Sequence, residues 1–252
     1  MIYALKKYIL LIDMVKNVIS KQLIKELKDL SAGQSFIDFQ KKIIKTNKEI
    51  IGVRTPVLRK YKKSIIKNNI CVHFDDKTDK YFECVLLEGL LIAEEKDISK
   101  LKEKLNSFYK KIDNWAIVDM VAGDLKVFKK SKDREEDFSY FKSLLKSQNE
   151  FNIRFGIVSL LKWFIDEVFI ERTIKALNEL DCNFYYVDMA IAWLISEVLI
   201  KNPQNAITNM QKIIKNNHFN KFIINKSIQK ACDSFRIDIK IKEKLKELRI
   251  KW

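Results

Sequence analysis

Glycine and proline are nearly missing from this chain, with five and two among 252 residues. Turn-rich sheets need glycine where φ is positive and proline at tight corners. Their scarcity therefore points to helices joined by short polar loops. Histidine is as scarce, with only His73 and His218. The four cysteines, Cys71, Cys84, Cys182 and Cys232, form no C-x-x-C pair and have no histidine cluster beside them. This argues against a zinc site and a disulfide framework, and buried free thiols in a reducing cytosol are the expectation. Cys71 and His73 stand two apart but without further ligands, so no metal is expected. No apolar run approaches a membrane span. Lys6-Lys7 before Tyr8–Ile12 has a faint likeness to a signal peptide. The run is short, Asp13 ends it, and no small-residue cleavage site follows. The expectation is a soluble cytoplasmic protein with no membrane partner.

What the chain has in excess is positive charge. Its formal net charge is +15, from 48 basic and 33 acidic residues. A surplus of that size attracts polyanions, of which nucleic acid is the commonest. Only seven of the basic residues are Arg, and Ile, Lys and Asn are all abundant. An AT-rich genome produces that bias, so part of the charge is compositional. The apolar fraction, 47%, is ordinary for a globular protein and sufficient for a real core.

Helical periodicity runs almost throughout, with no convincing alternating strand. It predicts helices at about 15–29, 34–46, 55–68, 78–94, 97–111, 114–129, 134–147, 152–166, 168–179, 185–200, 203–216, 220–234 and 238–249. Thr55-Pro56 and Asn202-Pro203 read as a capping residue followed by Pro at the first helical position. Gaps such as Lys130–Asp133 are short and polar, which makes neighbouring helices antiparallel. No low-complexity linker interrupts the chain, so 1–252 reads as one domain.

One stretch stands out: Asp113-Asn114-Trp115-Ala116-Ile117-Val118-Asp119. Trp115 and Asp119 are one helical turn apart and share a face, which Ala122 and Lys126 would continue. The apolar residues Ile117, Val118, Val121, Leu125 and Phe128 fall on another side. The plain account is a half-buried Trp beside a solvated Asp. A repeat adds to this. Asn152–Leu161 resembles Val187–Ser196, Ile224–Ala231 is a weaker copy, and the Trp115 helix could be the first. Trp115, Arg154 and Trp193 are spaced 39 and 39 residues apart. A helix-pair period near forty is that of HEAT-like repeats, which stack into a solenoid with a concave surface. Those three residues would then line one face. Against this, Trp193 sits in a strongly apolar helix and could be core. Trp163 follows the run Ile157–Leu161 and reads as core, and Arg154 lies near a helix start, where a solvated Arg is ordinary.

If that face binds a ligand, Arg154 offers a planar fork suited to phosphate. The Trp rings offer flat surfaces to a sugar or base. An Asp in a polyanion-binding groove is repelled by phosphate unless it does chemistry. Glycosidic cleavage passes through an oxocarbenium-like cation, which a carboxylate stabilises. A purine alkylated at N3 or N7 is already positive and leaves neutral, so such a site needs no general acid and no His.

The chain resembles the DNA alkylation repair (AlkD-like) family of HEAT-like repeat DNA glycosylases. The matching pieces are Gly52–Lys60, Asp113–Asp119, Asn152–Gly156, Tyr186–Trp193 and Asn225–Ala231, in the family's order over about residues 34–240. The resemblance implies an all-α solenoid of antiparallel helix pairs with a basic concave face for double-stranded DNA. It implies release of 3-methyladenine and 7-methylguanine in base excision repair, with no cofactor and no metal. By position, Trp115 and Trp193 would pack on the lesion's deoxyribose, and Asp119 would stabilise the sugar cation and hold the water. Arg154 would grip the backbone, with Lys126, Arg54, Lys226 and Lys230 as further DNA-binding residues. The expected setting is a nucleoid-associated monomer. Active members carry an aromatic DNA-contacting helix near the N-terminus. No clear counterpart precedes Gly52, where Ser31–Phe36 reads as a short connection.

Two other readings stand beside this one. A non-catalytic HEAT-like protein could bind damaged or branched DNA while retaining the site residues. A protein-binding solenoid with incidental charge would show no DNA affinity at low salt, whereas both DNA readings predict binding that weakens steeply with salt.

Overall fold

The computed structural model describes residues 17–251. The Lys6–Ile12 stretch and the first two residues of the helix expected at 15–29 lie outside them. Thirteen α-helices occupy the described residues, so the fold is all-α. Backbone contacts divide the chain into two compact units meeting in sequence between Asp124 and Leu125. The first holds α1 (Ser20–Asp29), α2 (Gln34–Ile43), α3 (Thr55–Lys67), α4 (Phe82–Ile92), α5 (Ile98–Phe108) and α6 (Trp115–Asp124). The second holds α7 (Arg134–Ser143), α8 (Glu150–Trp163), α9 (Ile170–Asn178), α10 (Tyr185–Lys201), α11 (Ala206–Lys215), α12 (Lys221–Asp233) and α13 (Ile239–Glu247).

Every interval expected to be helical overlaps one of these helices, although α8 begins at 150 rather than 152 and α10 ends at 201 rather than 200. Several ends tighten into 3₁₀ turns, at Tyr109–Lys111, Lys126–Lys130 and Leu144–Lys146. Two strands were not expected: β1 (Asn17–Val18) pairs in parallel with β2 (Cys71–Val72). Ser31–Gly33 is indeed a connection, but Gln34–Phe36 is already the first turn of α2. At Thr55-Pro56 the helix begins one residue earlier than expected. Arg54 holds the cap position without a side-chain bond, and Pro56 still falls in the first turn.

The repeat is present with a different period. Helices α6, α8, α10 and α12 begin at 115, 150, 185 and 221, at intervals of 35, 35 and 36 residues. Trp115, Arg154 and Trp193 are therefore the first, fifth and ninth residues of their helices. Their spacing of 39 residues is one period plus one helical turn. They keep to one side of the helix while moving a turn along it, rather than occupying equivalent places. The period also shows at the helix starts. Asn114, Asn149 and Asn220 each accept backbone N–H bonds from the first turn of α6, α8 and α12. Each such cap is worth about 1 kcal/mol. Helix α10 has Phe184 at that position and no side-chain cap. Its Tyr186 N–H is taken instead by Oε1 of Glu150 from α8, at 2.7 Å.

The first unit packs α4 against α6. The helices close where Gly89 leaves no side chain: a Cβ there would stand 2.5 Å from Val121 and 2.6 Å from Phe108. In the second unit α10 packs between α8 and α12. Phe141 of α7 sits between Phe128 and Phe164, forming a chain of rings with centroids 4.8 and 6.1 Å apart. All three are fully buried, and each contributes roughly 1.5–3 kcal/mol of transfer free energy.

Two expectations about burial change. Of the four free cysteines only Cys84 is buried; Cys71 is exposed and Cys182 and Cys232 are half-buried. Burial pushes the Cys84 thiol up to about 12. Trp163 is half-exposed rather than core. It is the last residue of α8, and the next residue, Phe164, turns inward in its place.

Candidate active site

The start of α6 is fixed by two polar residues acting in opposite directions. Asn114, fully buried, turns its Oδ1 to the amides of Ala116 and Ile117 at 3.0 and 3.1 Å. Its Nδ2 donates to Oδ1 of Asp113 at 2.8 Å. The other oxygen of Asp113 accepts from the Thr46 hydroxyl at 2.7 Å and the Asn47 amide at 2.9 Å. Asp113-Asn114 thus ties the helix start to the segment after α2. Trp115 extends the tie, its Nε1 donating to the Ile43 carbonyl at the end of α2 at 3.4 Å.

Within α6, Ala116, Ile117, Val118, Val121 and Ala122 are buried, and Trp115, Asp119, Met120 and Gly123 are half-exposed. Trp115 and Asp119 do share the open strip, as their spacing predicted. The strip continues through Gly123 rather than Ala122, which is fully buried. Lys126 lies beyond it, exposed on the 3₁₀ turn after the helix has ended. Asp119 has an electrostatic or hydrogen-bond partner of its own in this structure.

The Gly52–Lys60 stretch is held from beneath by a residue the sequence did not single out. Glu83, on α4 and fully buried, accepts from the amides of Ile51, Gly52 and Val53 at 2.8, 2.7 and 3.1 Å. Burial raises its pKa, and the three amide bonds hold it back toward the ordinary value. Gly52 has φ +89°, and a Cβ there would meet Ile37 at 2.5 Å. Both conformation and space demand glycine. This clamp presents Arg54, exposed, with its guanidinium 4.4 Å from the Phe36 ring centroid. Phe36 in turn stacks on Phe39 at 6.3 Å. No residue of α2 is buried; Phe39 is 56% exposed and Ile43 45%. An aromatic helix therefore does precede Gly52. Its signal was Phe36 and Phe39 at i, i+3, obscured by the polar residues around them.

In the second unit Arg154 is 6% exposed. Its Nη1 donates to the Tyr186 carbonyl at 2.6 Å. With the Glu150–Tyr186 bond, this joins the first turns of α8 and α10 by a donor and an acceptor. Trp193 is half-exposed on α10, and the Lys162 ammonium lies 4.5 Å from its ring centroid. That contact is a cation–π pair the sequence reading missed. Lys226 and Lys230 lie one turn apart on α12, both half-buried. Lys226 donates to Gln229 at 3.0 Å, and Lys230 has a partner of its own. Trp115 and Asp119 belong to the first unit, Arg154, Trp193, Lys226 and Lys230 to the second.

Among the described residues no group of three or more His, Cys, Asp or Glu could hold a metal ion. No helix of the described residues is long and apolar enough to cross a membrane. Helices with these caps and this open strip could serve many ligands, and comparison with known families decides the matter. The sequence model of the DNA alkylation repair enzyme family matches residues 23–231. The chain belongs to that family. The match runs through both units and takes in α2, the Glu83 clamp, the capped start of α6 and the Arg154–Tyr186 junction. Membership supports a role in DNA repair and hence a DNA partner. No curated protein sequence matches the chain.

Proposed function

We propose that this family member is a monofunctional DNA glycosylase that hydrolyses the N-glycosidic bond of cationic 3-methyladenine and 7-methylguanine in duplex DNA. The observation that carries the reading is the half-exposed Trp115–Asp119 strip on a helix whose start is capped and tied on both sides. A carboxylate held on a rigid element stabilises a developing sugar cation without reorganising during the reaction. Asp119 takes that role and positions the attacking water. Trp115 and Trp193 supply ring surfaces for deoxyribose. Arg54, Lys126, Lys226 and Lys230 contact phosphates; Arg154, expected to grip the backbone, is nearly buried on the Tyr186 carbonyl, so its part is to hold the starts of α8 and α10 together. Phe39 on α2 supplies the aromatic contact near the N-terminus.

Release of 7-methylguanine from a methylated duplex tests this. The wild-type chain is expected to release the base, and Asp119→Asn to slow release about 100-fold or more, the scale for losing one preorganised electrostatic group. Release that Asp119→Asn leaves unchanged would remove Asp119 from the mechanism.

A second reading has its own observation. The Lys162 ammonium already lies over the Trp193 ring, the surface the excision reading gives to the lesion's sugar. This favours a DNA-binding protein that retains the site residues without excision. Tight duplex binding with no release by the wild-type chain would establish it.

A further inference from the structure

Four aromatic rings run across the starts of α8, α10 and α12. Phe151 and Tyr186 have centroids 5.6 Å apart, Tyr186 and Tyr185 5.2 Å, and Tyr185 and Phe222 5.9 Å. Phe151, Tyr186 and Phe222 are each the second residue of their helix, so the repeat itself builds the row. Tyr185 departs from that order. It is 60% exposed, and neither core packing nor a cap requires an aromatic there. The row ends at Phe222, which lines a groove of about 710 Å³ between α12 and the chain after α13. Lys226, Arg249 and Lys251 line the same groove, with Asp233 as its one carboxylate. The groove is fixed in shape because the Asn225 amide pairs reciprocally with the Ile250 backbone, both bonds being 2.9 Å. Among the described residues neither Arg249 nor Lys251 is paired with a carboxylate.

An open aromatic face beside a groove with three cations and one anion fits a ligand carrying both flat rings and phosphates. We propose that Tyr185, Phe222 and this groove form a nucleic-acid contact that takes an unpaired nucleotide of a single strand. The base stacks on Tyr185 and Phe222, and the phosphodiester lies along Arg249 and Lys251. A duplex does not satisfy this surface, because its base faces are already covered by their neighbours. The contact shares neither Asp119 nor the Trp residues with the excision chemistry, and Lys226 alone is common to this groove and the proposed duplex contacts. Single-stranded DNA and RNA present the same chemistry here, and the polymer that binds more tightly is the source.

Fluorescence anisotropy on the full chain tests the proposal with three labelled probes of equal length: oligothymidylate, oligouridylate and an abasic phosphodiester. Tyr185→Ala is expected to weaken the base-bearing probe about tenfold, as loss of one stacked base does, and to leave the abasic probe unchanged. Tyr185→Phe should bind as the wild type does. Arg249→Gln combined with Lys251→Gln should weaken all three probes. Tyr185 and both cations are exposed, so these variants keep the fold. Two results would overturn the proposal. One is thymidylate and uridylate binding that ignores Tyr185→Ala. The other is an equal loss from Lys60→Gln with Lys63→Gln, exposed lysines of the first unit, which would reduce the groove to general charge.

Discussion

At the scale of single residues, two buried carboxyls show how much the sequence concealed. Asp188 is buried in α10, which pushes its pKa up, and the Asn220 amide at 2.9 Å from Oδ2 holds it partly back. A carboxyl raised above its unfolded value binds its proton more tightly when folded. Its contribution to stability is therefore full below the ordinary value of 3.8 and is lost as pH rises through the raised one. Asp188→Asn mimics the neutral form. Urea midpoints are expected to fall less for this variant than for the wild type as pH rises from the carboxylate range to neutrality. Parallel profiles would show that Asp188 carries no such load. Glu83 was illegible for a related reason. Within Phe82-Glu83-Cys84-Val85-Leu86-Leu87 a carboxylate looks like an interruption of an apolar run. Its partners, the amides of 51–53, lie about thirty residues upstream and have no side-chain signature. By contrast, Trp115 and Asp119 could be placed on one strip because helical spacing alone decides that.

At the scale of elements, α6 depends on its start. Asn114 satisfies two of the four N–H groups that any helix leaves unpaired. It also orients Asp113. Asn114→Ala is expected to cost about 1–2 kcal/mol, since a cap is lost and the Asp113 carboxylate loses a donor. It should also loosen Trp115 and Asp119, so that any excision rate drops by more than the unfolded fraction explains. Urea unfolding alongside base release checks both, and a stability change within about 0.5 kcal/mol would show that the cap is not what holds the helix start. All thirteen helices were legible because long periodic segments declare themselves. The caps at Asn114, Asn149 and Asn220 were not, since Asn is abundant throughout the chain. The true period stayed hidden for another reason. Trp115, Arg154 and Trp193 are the conspicuous residues, and each stands one turn further along its helix than the last. Strands of two residues, as at 17–18 and 71–72, are too short to carry any alternation.

At the scale of the whole molecule, the charge of +15 governs encounter with DNA. Affinity for a duplex is expected to fall linearly in log–log terms with salt, with a slope of about −0.9 per neutralised phosphate. Titration at several ionic strengths checks this, and a flat response would assign the charge to composition alone. The family match spans both units, so the repair role belongs to the chain and not to one half of it. Helix α2 has no buried residue, though Phe36 faces the Arg54 guanidinium and Ile37 lies against Gly52. Ala32 bonds to Gly52 before it, and Ile43 to Trp115 after it. Just beyond its end, Thr46 and Asn47 bond to Asp113. Moving that end of α2 would strain the bonds that hold Trp115 and Asp113, the residues on either side of Asn114.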